Sequence, residues 1–290
     1  MTRILLTGTN GQVGYELQRS LQGLGEIVAV GREQMDLADL DRVREVIRTV
    51  KPTLIVNPAA YTAVDAAEND AQLAMRVNCD APALMAEEAR RLGAAMIHYS
   101  TDYVFDGTKD GPYTEKDPTC PVNVYGRTKL AGEQAIQAAG IDHLILRTSW
   151  VYGARGKNFL LTVLRLARER DELRIVADQH GSPTWCRTIA DSTAHIVAQA
   201  ARGGPGGRSW EEVSGIYHMT AQGATTWHGF AGAIVAHPSV ARKPLVTPIA
   251  TADYPLPAPR PSNSVLDCTR FIDTFCALPQ WDAALRLCQD

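Results

Sequence analysis

One short pattern constrains this chain more than any other: Gly8-Thr-Asn-Gly11-Gln-Val-Gly14, placed between the apolar run Arg3-Ile-Leu-Leu-Thr7 and a segment with apolar residues at 13, 17, 21 and 24. The run has the length of a buried strand, and the later spacing is that of a helix with one apolar face. Glycines between them let the chain turn tightly, let an anion approach the backbone, and let the helix sit close to the sheet. The free amides and dipole of the helix N-terminus favour a pyrophosphate. The spacing is GxxGxxG, and its position between strand and helix is what gives it weight.

The same alternation continues. Strands are expected at 26–30, 53–56, 94–99 and 143–147, and helices at 40–50, 71–92 and 125–139, with a loop over 102–122. Such a pattern requires parallel strands joined by right-handed crossovers, so the fold class is α/β, a Rossmann-type doubly wound sheet. The second half is less regular. Helices are expected at 159–170 and 188–201 around a strand at 173–177. A glycine-rich excursion covers 203–207, and an irregular arm with six prolines covers 244–261. Residues 1–150 are therefore expected to form the dinucleotide-binding domain. Residues 151–290 are expected to form mainly a smaller mixed α/β substrate lobe, with later segments returning to the first domain.

Composition narrows the partners. Of 290 residues, 29 are Lys or Arg and 32 Asp or Glu, so net charge near −3 gives no general reason to bind nucleic acid. Six cysteines occur without a CxxC pair or a histidine at zinc spacing, so neither a disulfide framework nor a metal site is expected. The apolar start is too short for a signal peptide, and no run is long enough for a membrane span. The cytoplasm is the expected location.

The second strand ends Val30-Gly31-Arg32, where an arginine accommodates a ribose 2′-phosphate and an acid would take a 2′-hydroxyl. Arg32 points to NADPH, while Glu33 directly after it keeps NADH open. Asp36 and Leu37 are placed to meet the adenine, with Asp36 equally suited to capping a helix.

The chemistry-bearing set lies further on. Tyr125-Gly-Arg-Thr-Lys129 puts a phenol and an ammonium on one helix face. Ser100-Thr101-Asp102 ends the fourth strand at the carboxyl edge, where α/β sheets bind ligands. A ketone that accepts hydride develops alkoxide character and needs an acid. A tyrosine beside an ammonium can be that acid, because the charge favours tyrosinate. Tyr125 is the expected general acid, Lys129 its modulator and a ribose ligand, and Thr101 a hydroxyl on the reacting oxygen.

With these residues in place the sequence resembles the extended short-chain dehydrogenase/reductases and, within them, the dTDP-4-dehydrorhamnose reductase family. The resemblance runs over nearly the whole chain. It is carried by the glycine turn, Asn57-Pro-Ala-Ala-Tyr-Thr-Ala-Val-Asp65, Ser100-Thr-Asp-Tyr-Val-Phe-Asp-Gly107 and Tyr125 to Lys129. Further support comes from Arg147-Thr-Ser-Trp-Val-Tyr-Gly153, Asp178-Gln-His-Gly-Ser-Pro-Thr184 and Arg260-Pro-Ser-Asn-Ser-Val-Leu-Asp267.

The resemblance implies NADPH-dependent reduction at C4 of a dTDP-linked 4-keto-6-deoxy sugar, the last step of dTDP-L-rhamnose synthesis. It implies that Gly8, Asn10, Gly11, Gln12, Val13 and Gly14 hold the diphosphate, with Asp36 and Leu37 at the adenine. Ala59, Ala60 and Tyr61 would lie by the far ribose and nicotinamide, and Thr62, Val64, Thr101, Asp102, Tyr103 and Trp150 around the sugar. Lys157, Phe159, Arg187 and Arg260 are further candidates for the substrate diphosphate. Some members use acidic residues for a magnesium-linked dimer. Glu16 has a plausible place, but the C-terminal tail offers no acidic partner pattern, so a homodimer is possible and no metal is expected.

Two other readings remain open. One is another sugar-nucleotide enzyme of the same superfamily, a reductase, an epimerase or a 4,6-dehydratase; the dehydratase would need Thr-Asp-Glu after the strand, and here the third residue is Tyr103. A non-catalytic NADP-sensing regulatory subunit would be expected to lose part of the set that this chain keeps.

Overall fold

A computed structural model describes residues 2–200 and 208–290, so the glycine-rich excursion at 203–207 lies outside the described residues. The central sheet contains β1 (Arg3–Leu6), β2 (Glu26–Ala29), β3 (Leu54–Asn57), β4 (Ala95–Thr101) and β5 (His143–Thr148). After the strand β6 (Glu172–Val176), which lies elsewhere, the chain returns to the sheet with β7 (Gly215–His218). The order is β7-β5-β4-β3-β1-β2, and every neighbouring pair is parallel. From β1 the chain goes one way to β2 and then the other way to β3. The reversal opens a crevice at the carboxyl ends of β1 and β3, where such sheets take ligands.

Alternation along each strand feeds two separate cores. Ile4, Leu6, Val56, Ile97 and Leu146 face one side, and Leu5, Ile55, Met96 and Ile145 face the other, all fully buried. Each such side chain stabilises the fold by about 1.5–3 kcal/mol relative to exposure. The first side is covered by α1 (Gln12–Ser20) and, from the second half of the chain, by the helix Cys186–Ala200, through Leu17, Leu21, Ile189 and Ile196. The second side is covered by α2 (Leu40–Val50) and α3 (Ala81–Leu92), through Val43, Ile47, Leu84 and Met85. A third core, with Tyr152, Leu160, Phe230 and Leu285, builds the other lobe.

Two expectations are corrected. The single helix expected over 71–92 is interrupted: Ala71–Met75 is α-helical, Arg76–Asp80 is a wide π turn, and α3 follows. Pro82 has no N–H to offer the Asn78 carbonyl, so the normal bond four residues back cannot form. The freed carbonyl faces α4 (Val124–Ala138), where a Cβ on Gly132 would stand 2.1 Å from it. The proline-rich arm is also not wholly irregular. Leu245–Ile249 pairs in parallel with β6, with Pro248 tolerated because the ribbon has only two strands and is edge on both sides.

Candidate active site

The glycine turn shows why its residues are glycines. Gly8 has φ +59°, and a Cβ on Gly14 would stand 2.2 Å from the Gly8 carbonyl oxygen. Gly11 caps α1 without any side-chain hydrogen bond. The first amides of α1 therefore have no capping side chain in front of them, which is the arrangement that receives a diphosphate. A dinucleotide fits this cradle: a side chain at Gly8 would press on the Ala59 backbone and one at Gly14 on the Gly8 carbonyl, so only glycines let the turn close tightly in front of these free amides.

A cleft of about 630 Å³ runs from this turn over the sheet edge. Of the expected cofactor residues, Gly8, Gly11, Gln12, Val13, Gly14, Arg32, Asp36, Leu37, Ala59, Ala60, Tyr61, Tyr125 and Lys129 all line it. Asn10 does not. It is exposed, and its amide sits over Gly31. The Arg32 side chain is 76% exposed and bonds Asp36 at 3.1 Å. The Ala38 amide and the Arg32 guanidinium hold the Asp36 carboxyl below the usual range, so both its oxygens are already engaged.

The expected sugar-binding residues Thr62, Val64, Thr101, Asp102, Tyr103 and Trp150 line the same cleft. Lys157 joins them. Arg187 instead pairs with Glu16 at 3.2 Å, Arg260 pairs with Asp65 at 2.8 Å, and Phe159 packs on Trp227 and Phe230. Trp150 has φ +46°, a strained conformation for a bulky residue. It is clamped between two neighbours: Gly181, where a Cβ would lie 2.4 Å from the indole, and Trp227, stacked at 3.6 Å between centroids. Trp227 also lines the cleft and donates to Gln179, and sequence reasoning missed it.

The helix α4, which carries Tyr125 and Lys129, approaches closely because it also carries glycines. A Cβ on Gly126 would stand 2.1 Å from the Tyr103 carbonyl. Asn123 caps α4 by accepting from the Gly126 amide. The expected lowering of Tyr125 by Lys129 is not met: burial pushes the phenol up to about 12, and what pulls the other way is the Thr101 hydroxyl and not the lysine charge. Thr101 accepts from the Tyr103 amide and donates its own hydrogen to Asp102 at 3.0 Å. Burial raises the Asp102 carboxyl to about 7, and its second oxygen is buried with no hydrogen-bond partner among the described residues. Lys129 is fully buried, and desolvation lowers its ammonium to about 8. Its nitrogen bonds the Tyr99 carbonyl at 2.6 Å and His98 at 3.1 Å. The ammonium is thus fixed from behind.

Two supporting groups had no local signal in the sequence. Asn78, on the π turn, clamps the Tyr61 backbone through both amide atoms and also donates to Thr128 beside Lys129. Under α4, Arg147 of β5 makes a two-pronged bond to Glu133 at 3.0 and 2.7 Å, both side chains nearly inaccessible to solvent.

A phosphate-accepting turn, a cleft at the sheet's switch point, and a threonine, tyrosine and lysine along one wall define a nucleotide-dependent oxidoreductase of the short-chain dehydrogenase type. The comparisons narrow the class. A family model described as RmlD substrate binding domain matches residues 1–290. A dTDP-4-dehydrorhamnose reductase of Burkholderia thailandensis is 52% identical over 99% of this chain and 97% of its own. Two solved structures superpose with TM-scores of 0.90. One is a dTDP-4-dehydrorhamnose reductase of Clostridium acetobutylicum, at 34% identity over 99% of this chain and 98% of that one. The other is the Bacillus anthracis enzyme in complex with NADP, at 32% identity over 99% of each chain. The chain belongs to the dTDP-4-dehydrorhamnose reductase family.

Proposed function

We propose that the protein reduces the C4 ketone of dTDP-6-deoxy-L-lyxo-4-hexulose to give dTDP-L-rhamnose, with NADPH as cofactor. The observation that carries this reading is a single cleft lined at once by the glycine turn, by Thr101, Tyr125 and Lys129, and by Trp150. NADPH, when bound, supplies the hydride. Tyr125 holds its proton firmly at neutral pH and gives it to the ketone oxygen as alkoxide character builds there. Lys129 sets positive charge beside the tyrosinate that remains and reaches the cofactor ribose. Thr101 and Asp102 line the cleft beside Tyr125, where the reacting end of the sugar would sit. Arg32, largely exposed at the end of β2, is available to a 2′-phosphate.

In this reading residues 1–150 hold the cofactor and supply Thr62, Val64, Thr101, Asp102, Tyr103 and Trp150 to the sugar wall, residues 151–290 add Lys157 and Trp227, and Cys186–Ala200 and β7 return to the sheet layer. No helix among the described residues is long and apolar enough to cross a membrane. The six unpaired cysteines suit the reducing cytoplasm. A homodimer is part of the proposal.

The direct test of substrate class follows NADPH oxidation with a panel of 4-keto sugar nucleotides in which base and sugar vary separately. The dTDP-linked lyxo-hexulose should be consumed fastest, and no oxidation with any member would overturn the reading.

A further inference from the structure

The reading above gives Lys129 a catalytic role, and this inference rests on that role. The lysine nitrogen is 3.1 Å from His98 Nε2, and the other ring nitrogen, Nδ1, is 3.1 Å from the Asn57 amide nitrogen. Asn57 Oδ1 in turn bonds the Thr7 hydroxyl at 2.6 Å. All four side chains are at most 1% exposed. Thr7 directly precedes Gly8, so the string runs from the foot of the glycine turn across three strands to the catalytic helix. His98 itself does not line the cleft, and nothing in the reduction described so far uses it.

Burial and the neighbouring lysine charge hold the imidazole well below the usual histidine range, so it is neutral and carries one donor and one acceptor. Two hydrogen-bond directions are then self-consistent. With the Asn57 amide nitrogen toward the ring, Nε2 bears the proton and the lysine receives it as an amine. With the amide turned over, which puts oxygen and nitrogen in each other's places without moving any other atom, Asn57 Oδ1 accepts from Nδ1, the amide nitrogen donates to the Thr7 hydroxyl oxygen, Nε2 accepts from a lysine ammonium, and the Tyr99 carbonyl takes a second ammonium hydrogen. An ammonium has three hydrogens, so one remains for the cleft.

We propose that His98 is a positioning residue for the reduction: its Nε2 accepts from the Lys129 ammonium, favours the charged form and directs the remaining hydrogen to the cleft, while Nδ1 ties that charge through Asn57 to Thr7 beneath the glycine turn. The titratable or charged groups on the elements packed around Lys129 include His98 and Tyr99 on β4, Asp102 and Tyr103 directly after it, Tyr125 and Glu133 on its own helix, Arg147 on β5 bound to Glu133, and Cys79 on the π turn packed against α4. Of these, only His98 bonds the lysine nitrogen through its side chain.

The test compares His98→Gln with His98→Asn. Both are polar and can bond Asn57, but only glutamine reaches far enough to offer an oxygen near the position of Nε2. Loss of a hydrogen bond to a charged group should lower kcat of His98→Asn by roughly ten- to a hundredfold. The alkaline fall of its pH profile should move to lower pH, because an ammonium without its acceptor loses its proton more readily. His98→Gln should stay within about tenfold of wild type, with the alkaline limb restored. NADPH binding, followed by fluorescence, checks that each variant folds. Equal kcat and equal pH profiles for the two variants would overturn the proposal. Lys129→Met separates this from failure of the parent reading. If that variant keeps wild-type turnover, the role of Lys129 falls; if it is inactive while the two His98 variants match, only the role of His98 falls.

Discussion

Trp150 and Trp227 stack with centroids 3.6 Å apart and planes 7° apart, although one follows β5 and the other opens the helix Trp227–Ala236. The stack supports Trp150 in a backbone conformation that bulky residues rarely adopt. An aromatic pair contributes about 0.5–1.5 kcal/mol beyond its burial. Trp227→Ala is therefore expected to raise KM for the sugar nucleotide by roughly three- to tenfold and to leave KM for NADPH unchanged. Steady-state kinetics with each substrate varied in turn checks this.

Gly14→Ala places a methyl carbon 2.2 Å from the Gly8 carbonyl unless the turn opens. The fold can survive, since the clash lies at the sheet's open edge, but the diphosphate cradle cannot keep its shape. The expected result is loss of NADPH binding by more than about tenfold, with the thermal shift normally produced by NADPH abolished. Fluorescence titration and thermal melting with and without cofactor measure both.

Among the described residues the Arg32 side chain bonds only Asp36, and it is otherwise open to solvent. Hydrogen bonds to charged groups contribute about 1.5–3 kcal/mol, so Arg32→Ala should weaken NADPH by roughly ten- to a hundredfold and NADH much less. Parallel binding titrations with the two cofactors decide it, and equal losses would remove the 2′-phosphate argument.

The free enzyme should lose activity on the alkaline side near pH 8. Lys129 is lowered to about 8 by desolvation, so its charge is present below that pH and is lost as pH rises through it. Tyr125, pushed up to about 12, keeps its proton throughout. The pH dependence of kcat/KM, which reports the free enzyme, is the measurement.

Much of the fold was legible because it is written locally. Ile4 to Leu6 and Leu54 to Val56 are short apolar runs, the glycine turn breaks the first of them, and Tyr125 and Lys129 share a helix face by their spacing alone. What escaped depends on contacts between distant segments. Asn78 works because Pro82 removes one helical bond and Gly132, fifty residues on, admits the freed carbonyl. His98 and Arg147 read as ordinary strand residues until β4 and β5 bring them under α4. Arg187 and Arg260 were plausible anion ligands in sequence, yet each has a carboxylate neighbour that only the fold supplies. Leu245–Ile249 was hidden by its proline, which a two-stranded ribbon tolerates.

In the proposed reaction Tyr125 protonates the oxygen of a ketone reduced in this cleft. The most direct test is single-turnover NADPH oxidation with dTDP-6-deoxy-L-lyxo-4-hexulose by wild type and Tyr125→Phe, alongside the NADPH Kd of each. General acid catalysis is worth about 10²–10⁴, so the variant should lose that factor in rate while its Kd stays within about twofold. Wild-type turnover in Tyr125→Phe would contradict the account.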